Sequence, residues 1–286
     1  MRAYAKINLG LDVLRRREDG YHDLRMIMQT VQLYDRIYIR STKAEGIRIK
    51  TNLAYLPSNE NNLAYRAAKL LMSEFPINGG VFIQLDKRIP VAAGLAGGSA
   101  DAAAVLEGMN RLCDLNLSTK QLMELGVRLG ADVPYCILKG MALAEGIGEQ
   151  LTPLPGLESY VVLAKPPVHV STKFVYQNLH LEQVTEHPDI DAQIEAIRAG
   201  DLEKTAALMG NVLESVTVPA YPVIEKLIGA MKNGGALGGR MSGSGPTVFG
   251  LFDDRQKAEA VFRKLKTGKD ARAVYLVKML NRRDRV

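Results

Sequence analysis

A segment of very small side chains, residues 90–104, constrains the fold of this chain more than any other part of it. Within residues 92–104 the side chains larger than a methyl group are Leu95, Ser99 and Asp101. Such a segment has little to pack with, so its value lies in backbone that other groups can approach. Apolar residues alternate before it, over residues 81–89, and recur after it at helical spacing. The pattern predicts a strand, a glycine-rich loop and a helix.

A loop that opens a helix in this way favours a bound phosphate group. The first backbone N–H groups of a helix have no partner within the helix, and the helix dipole attracts negative charge to them. A tight turn, or a close crossing of helix and strand, would also require glycine, and the pattern alone leaves this alternative open. We predict a phosphate-binding loop.

The loop does not match the best-known phosphate-binding patterns. A Walker A motif places lysine directly after its last glycine, but Gly98 is followed by Ser99 and Ala100. The Rossmann spacing of three glycines does not occur in the loop. The H-R-D-L and D-F-G signatures of protein kinases do not occur in the sequence. These three classes of nucleotide-binding protein are therefore disfavoured.

The composition indicates a cytoplasmic enzyme. The 286 residues suffice for a substantial core and two domains, and 47% of them are hydrophobic. No apolar run approaches the length of a membrane span, and the first residues do not resemble a secretory signal. Cys113 and Cys136 predict buried thiols in a reducing compartment, and no spacing typical of a zinc site occurs. We expect no membrane partner.

A net charge of +6 requires nucleic-acid binding to be considered. Basic residues are scattered, with clusters only at residues 15–17 and in the tail at 281–285. Neither cluster is interleaved with aromatic residues that could stack on bases. We interpret them as a solvated turn and a frayed terminus, and we expect no nucleic-acid partner.

Apolar periodicity predicts an α+β protein of two domains. The break at residues 151–156, rich in proline and glycine, is the best candidate for a boundary. Ser118 is predicted to cap a helix that Gly130 ends. Predicted strands cover residues 6–13, 35–40, 81–89, 160–164, 247–252 and 273–279. Predicted helices cover residues 61–75, 119–129, 189–199, 201–215, 221–233 and 255–266.

Three blocks in order along the chain resemble the motifs of the GHMP small-molecule kinases. They are Ala5-Lys-Ile-Asn-Leu9, the loop at residues 90–104, and Met241-Ser-Gly-Ser-Gly-Pro-Thr-Val-Phe-Gly250. Further blocks resemble the GHMP kinases whose substrate is a cytidine diphosphate-linked methylerythritol: residues 19–22, 62–63, 86–90, 130–134 and 242–246. The chain departs from the pattern at Ala96, often glycine, and at Ala100, often serine; the lost hydroxyl leaves fewer candidate ligands for Mg²⁺. The resemblance implies a ribosomal-protein-S5-like domain at 1–152 and a ferredoxin-like domain at 153–286.

Two residues are candidates for catalysis. Asp132 follows a predicted helix in Gly130-Ala-Asp-Val-Pro134, where an aspartate either points its carboxylate to a substrate or makes a turn hydrogen bond; the pattern alone does not decide. Lys6 lies in a predicted strand, where a lysine often extends to solvent. The resemblance implies that Lys6 pairs with Asp132 and that Asp132 accepts the proton of the attacking hydroxyl late in the reaction.

The resemblance also assigns residues to the substrate. Tyr21 and Tyr176 would sandwich the cytosine, with Phe174 as a rival ring to Tyr176. His22 would hydrogen-bond the base, and Asn8 would hold the substrate near Lys6. Without the resemblance, Tyr21 and His22 could also be ordinary surface residues of a polar turn.

For ATP, the resemblance places the phosphates at Lys87 and at the loop backbone, and the adenine near Asn62 and Leu63. Ser99 is a candidate ligand for phosphate or Mg²⁺. The block 241–250 would support the loop, although such a block can also be a plain turn into a strand. The loop residues assigned to ATP are Pro90, Val91, Ala92, Ala93, Gly94, Leu95, Ala96, Gly97, Gly98, Ser99 and Ala100.

The resemblance therefore implies ATP-dependent phosphorylation of the 2-hydroxyl of a cytidine diphosphate-linked methylerythritol, for isoprenoid precursor synthesis, by a monomer or weak homodimer. A homoserine or mevalonate type of GHMP kinase is the alternative, although those substrates have no base for Tyr21 to stack on. A non-catalytic nucleotide- or RNA-binding protein is a third interpretation. Lys6 and Asp132 disfavour it, because a binding module has no need of a proton acceptor.

Overall fold

The structure, a computed structural model, describes residues 1–281, and the basic tail at 282–285 lies outside the described residues. The chain divides into two compact units. Unit 1 comprises Met1–Ala5, Leu33–Val91 and Ala96–Leu138. Unit 2 comprises Lys6–Gln32, Ala92–Leu95 and the chain from Lys139 onward. The division into sequence domains 1–152 and 153–286 remains a prediction.

Strands β1 (Arg2–Arg16) and β2 (His22–Thr42) each contribute residues to both units. In unit 1, β3 (Gly46–Thr51) pairs in parallel with β4 (Gly80–Asp86), and Gly46 lies opposite Gly80. The second half of β2 pairs with β4 in antiparallel fashion, and Arg36 lies opposite Asp86. The order β3-β4-β2 places the buried side chains of alternate residues on one face, which include Ile37, Ile83 and Leu85.

Four helices complete unit 1: α1 (Leu63–Glu74), α2 (Gly97–Leu112), α3 (Thr119–Val127) and α4 (Asp132–Leu138). Helix α2 packs against the other three, and its buried face contains Val105, Leu106 and Met109. Two of the helices begin at side-chain caps. Asn62 accepts a hydrogen bond from the Ala64 N–H, and Ser118 forms a capping box with Gln121. The predicted Ser118 cap is confirmed, but the helix ends at Val127 with Arg128 as its C-cap, before the predicted end at Gly130.

Unit 2 contains further pairings of the long strands. The first half of β2 pairs with β5 (Met141–Gly146), which pairs with β6 (Gln150–Leu154), both in antiparallel fashion. Strand β1 pairs in parallel with β8 (Gly210–Asn211). A separate antiparallel sheet has the order β11-β7-β10-β9. Its strands are β7 (Tyr160–Lys165), β9 (Gly238–Met241), β10 (Val248–Phe252) and β11 (Ala273–Lys278).

Two helices of unit 2 cover its separate antiparallel sheet. Helix α9 packs on β9 and β10, and helix α10 packs on β7, β10 and β11. The helices are α5 (Thr172–Gln177), α6 (Ile190–Arg198), α7 (Leu202–Ala207), α8 (Glu214–Ala220), α9 (Val223–Asn233) and α10 (Arg255–Thr267), with a short 3₁₀ helix at Leu181–Gln183. Helices and strands are mixed in both units, which confirms the predicted α+β class. Within residues 1–281 we find no helix that is both long and apolar enough to span a bilayer.

Several predicted elements are wrong at their bounds. The predicted helix 201–215 is two helices, because Gly210 and Asn211 leave it to pair with Gly10 and Leu11 of β1. The strand predicted over 81–89 ends at Asp86, and the chain break predicted at 151–156 begins only after β6. Asp132 does not lie in a plain turn but begins α4.

Candidate active site

The glycine-rich loop leads from β4 into α2 through three residues of left-handed conformation. These are Ala92, Gly94 and Ala96, with φ of 49°, 74° and 55°. Ala96 is the N-cap of α2 and supplies no side-chain hydrogen bond. The N–H groups of Gly97, Gly98 and Ser99 therefore open the helix without a side-chain cap. Because Gly98 is exposed, this end of a 16-residue helix can accept an anion.

The block 241–250 supports the middle of this loop. The Ser242 hydroxyl donates to the Gly94 carbonyl at 3.0 Å, and the Thr247 N–H donates to the Ala93 carbonyl at 3.4 Å. A Cβ atom on Gly94 would lie 2.1 Å from the Ser242 carbonyl oxygen, so only glycine fits there. The contact predicted between the block and the loop is confirmed.

Two residues that sequence analysis missed hold the block in turn. The Asn211 side-chain amide donates to the carbonyls of Met241, at 2.9 Å, and Gly243, at 2.8 Å. The Glu214 carboxylate accepts the Met241 N–H at 2.6 Å. Burial raises the pKa of Glu214, and this hydrogen bond only partly offsets the effect. A signal was present in the sequence, because Gly210-Asn211 is a poor pair for the interior of the helix predicted there.

Lys6 lies beside Gly243 of the block and near Gly94 of the loop. Its ammonium group donates to the Asn8 side-chain oxygen at 2.7 Å, and both side chains are buried. A Cβ atom on Gly243 would lie 3.3 Å from Lys6 Nζ and 3.4 Å from the Gly94 carbonyl oxygen. The backbone N–H of Lys6 donates to the Leu95 carbonyl at 3.2 Å. The structure thus brings Lys6 and Asn8 together at the glycines of the loop and of the block.

Asp132 is the half-buried first residue of α4. Pro134 has no N–H group, so the usual turn hydrogen bond from the second residue after an aspartate cannot form here. This removes the simplest structural alternative for Asp132. Lys6 belongs to unit 2 and Asp132 to unit 1, and their pairing stays a prediction.

Of the residues assigned to the base, all in unit 2, the structure brings His22 and Tyr176 into contact. The His22 and Tyr176 ring centroids are 4.9 Å apart, with the planes tilted by 30°. Tyr21 is 61% exposed, and its N–H donates to Asp19. Phe174, the rival ring, is 39% exposed on α5, whereas Tyr176 is half-buried. Burial, and secondarily Arg16, lowers the pKa of His22, so its ring is neutral at pH 7.

Lys87 is buried at the base of the loop. Its ammonium group donates to the carboxylates of Asp35 and Asp101 and, at 3.5 Å, to the Gly97 carbonyl. The resemblance assigned Lys87 to the phosphates and gave no role to either aspartate. Asp35 was visible in principle, because it is in phase with the buried positions Leu33 and Ile37 of its strand.

The residues assigned to adenine and metal lie near the start of α2. Leu63 Cδ1 would be 3.4 Å from a Cβ atom on Gly98, whereas the Asn62 side chain is engaged in capping α1. Ser99 is half-buried in the first turn of α2. Among residues 1–281, no group of three or more His, Cys, Asp or Glu side chains could hold a metal ion. A hydroxyl oxygen beside a phosphate site nevertheless suits Mg²⁺, which takes most of its ligands from phosphates and water.

Comparison with known proteins identifies the class of protein to which this chain belongs. The family model for the GHMP kinases N terminal domain matches residues 62–140, and the family model for the GHMP kinases C terminal domain matches residues 193–270. The chain belongs to the GHMP kinases and is a small-molecule kinase. The resemblance seen in the sequence is confirmed, and so is the fold that it implied.

Individual relatives place the chain within that family. The 4-diphosphocytidyl-2-C-methyl-D-erythritol kinase of Lachnoclostridium phytofermentans is 55% identical over 97% of this chain and 96% of the relative. The kinase of the same name from Lachnospira eligens is 56% identical over 96% of both chains. A crystal structure of 4-(cytidine 5'-diphospho)-2C-methyl-D-erythritol kinase matches with a TM-score of 0.84 and 35% identity, over 98% of both chains. L. major mevalonate kinase, with a TM-score of 0.78 and 17% identity over 98% of this chain and 95% of that one, shares the fold.

Proposed function

We propose that this chain transfers the γ-phosphoryl group of ATP to the 2-hydroxyl of 4-diphosphocytidyl-2-C-methyl-D-erythritol, in isoprenoid precursor synthesis. The observation that carries the proposal is the identity of 55% and 56%, over nearly the whole chain, to two relatives of that name. Two homoserine kinases and three mevalonate kinases that match in structure are 14–22% identical.

The loop backbone would bind the ATP phosphates. Uncapped N–H groups at the start of α2 supply donors, and no acidic side chain lies in its first turn to repel the phosphates. Leu63, beside Gly98, supports an adenine site there. Mg²⁺, held by the phosphates and by Ser99, would neutralise charge on the transferring group.

Asp132 would accept the proton of the attacking 2-hydroxyl. Phosphoryl transfer through a loose transition state leaves the protein mainly to position the groups and to take up this proton. Lys6 would hold the carboxylate ionised and orient the hydroxyl, and Asn8 fixes the direction of the Lys6 ammonium group. An ordinary carboxylate is a weak base toward an alcohol, so the proton moves late.

Tyr21, His22 and Tyr176 would recognise the cytosine. The contact between the His22 and Tyr176 rings supports Tyr176 over Phe174 as the stacking residue. A neutral imidazole offers one donor and one acceptor, which suits the edge of a cytosine. Mevalonate and homoserine have no base, so such a site would serve no purpose in kinases for those alcohols.

We further propose that the enzyme acts in the cytoplasm as a monomer or weak homodimer. Cys136 is a buried thiol, as predicted, whereas the Cys113 thiol is only half-buried; unpaired thiols suit a reducing compartment. In the basic cluster at residues 15–17, Arg15 and Arg17 form ion pairs with nearby aspartates. These pairs support a structural role within the turn and not the binding of a nucleic acid.

A coupled assay of ADP release tests the proposal. The purified enzyme is offered ATP and Mg²⁺ with 4-diphosphocytidyl-2-C-methyl-D-erythritol, its uridine analogue, mevalonate or homoserine. We expect rapid turnover with the cytidine compound and a much lower kcat/KM with the other three. Preferred turnover of mevalonate or homoserine would overturn the assignment and leave a GHMP kinase of another type.

A further inference from the structure

Three charged side chains of unit 1, Asp35, Lys87 and Asp101, form a buried cluster. Lys87 Nζ donates to Asp35 Oδ2 and, at 2.5 Å, to Asp101 Oδ2. Each of the three side chains is at most 5% exposed. Burying an ion is costly even when it is paired, because each charge must leave water. A cluster this deep therefore needs an explanation beyond general stability.

The cluster grips both ends of the phosphate loop. Before the loop, Asp35 Oδ1 accepts the N–H groups of Arg88, at 2.5 Å, and Ile89, at 2.8 Å. At the far end of the loop, where α2 begins, Lys87 donates to the Gly97 carbonyl and to the Asp101 side chain. The backbone before the loop and the start of α2 are thereby both held through Asp35, a residue of β2. The bonds fix where the loop leaves β4 and where α2 begins.

The charges of the cluster balance only with an added proton. Two carboxylates and one ammonium group carry a net charge of −1, and burial disfavours that charge. Burial raises the pKa of Asp101 to about 8, although Lys87 offsets part of the effect. Burial alone would lower the pKa of Lys87, but the two carboxylates outweigh it and raise that pKa. Burial therefore favours a protonated Asp101, and with that proton the cluster would be neutral.

We propose that Asp35, Lys87 and Asp101 are positioning residues, which hold the two ends of the loop in the geometry that binds the ATP phosphates. Lys87 acts through the loop and does not touch the phosphates, because both carboxylates already engage its ammonium group. The inference rests on the proposed function, since it takes ATP as the ligand of the loop. Loop residues held before binding cost less entropy to order, which raises affinity for ATP.

Two substitutions of Asp35 test the proposal. Asp35→Ala releases the N–H groups of Arg88 and Ile89, and we expect the KM for ATP to rise about tenfold or more, since unpaired buried donors are costly. The kcat at saturating ATP and the Kd for CDP should stay close to those of the wild type. Asp35→Asn keeps an oxygen that can accept both N–H groups, so it should restore most of the affinity.

A matched control comes from Asp12. This aspartate is also buried, pairs with His187 at 2.6 Å and accepts the Val13 N–H at 2.8 Å. Asp12→Ala should leave the KM for ATP unchanged. CDP binding reports whether each variant is folded. If Asp35→Ala does not fold, Asp101→Ala, which removes the bond between Lys87 and Asp101 and keeps the bonds of Asp35, carries the same expectation.

The alternative, direct contact of Lys87 with phosphate, gives a different result. Lys87→Met would then lose ATP affinity while Asp35→Ala and Asp101→Ala kept it, and this would overturn the proposal. An equal rise of the KM in the Asp12 control would also overturn it. Failure of the proposed function looks different again, because the wild type itself would then show no turnover of the cytidine substrate.

Discussion

The Ser242 hydroxyl donates a hydrogen bond to the carbonyl of Gly94, a residue 148 positions earlier in the chain. The bond fastens the middle of the phosphate loop to a second glycine-rich turn. The same turn places Gly243 beside Lys6. The loop shape and the position of the candidate catalytic lysine therefore depend on contacts of the same turn.

Gly94→Ala should abolish most kinase activity. The added Cβ atom would lie 2.1 Å from the Ser242 carbonyl oxygen, so loop and turn must separate. A misplacement of about 1 Å at a reacting site can cost on the order of 100-fold in rate. Steady-state kinetics with varied ATP measure the loss.

Gly200→Ala is the control for that substitution. Gly200 has φ of +75°, against +74° at Gly94, but a Cβ atom added to Gly200 would meet no other atom within 4 Å. It should lose about 1–2 kcal/mol of stability, from left-handed strain alone, and keep its kcat/KM. Equal activity in the two variants would show that the contact with Ser242 is dispensable.

Asp132→Asn tests the proton acceptor. The change keeps the size of the side chain but removes its charge and most of its basicity. Loss of a general base typically lowers turnover by about 10²–10⁴-fold, and ATP affinity should change little. Single-turnover kinetics and titration with an ATP analogue separate the two effects. A variant that kept more than about a tenth of its turnover would rule out the proposed role.

Tyr21→Ala and His22→Ala test recognition of the base. Stacking on an aromatic ring is worth about 1–3 kcal/mol, so Tyr21→Ala should weaken CDP binding by about 5- to 150-fold. His22→Ala should act in the same direction and reduce discrimination between cytidine and uridine diphosphates. Calorimetric titration with CDP and with an ATP analogue measures both. Equal losses for the two ligands would contradict a separate cytosine site.

Asp101→Asn should change how stability depends on pH. The pKa of Asp101 is about 8 in the folded protein, against an ordinary value of 3.8. Between these values the folded state holds a proton that the unfolded state has lost, so the stability contributed by this group falls as pH rises. Asparagine does not titrate, so the variant should lack this slope, which is at most about 1.4 kcal/mol per pH unit.

Urea unfolding of wild type and Asp101→Asn at several pH values from 5 to 8 measures the effect. The variant should become more stable relative to the wild type as the pH rises. Parallel curves would mean that Asp101 is ionised throughout this range and that the buried cluster carries a net charge.

Local signals predicted the local structure well. Ser118 and Gln121, three residues apart, are a capping box by sequence and by geometry. Helix α10 lies within one residue of its predicted bounds, because apolar spacing and an Asp254 cap agree. Strand β8 was missed because its two residues owe their conformation to pairing with β1, which no local pattern records.

The candidate site was predictable to the extent that it consists of motifs. Lys6, Asn8 and the glycines of the loop and block were found by resemblance, and the structure brings them together. Asp35, Asn211 and Glu214 were missed because they act on backbone distant in sequence. One polar side chain in an apolar strand shows that it is buried, but not which groups it will meet.

The pairing of β1 with β8 can form only late in the synthesis of the chain. Gly10 lies opposite Gly210, so a strand made among the first residues acquires this neighbour only after most of the chain has left the ribosome. At about 5–20 residues per second, the wait is roughly 10–40 seconds. During that interval the segment that carries Lys6 lacks its later neighbours, and it is then most open to chaperones and to misfolding.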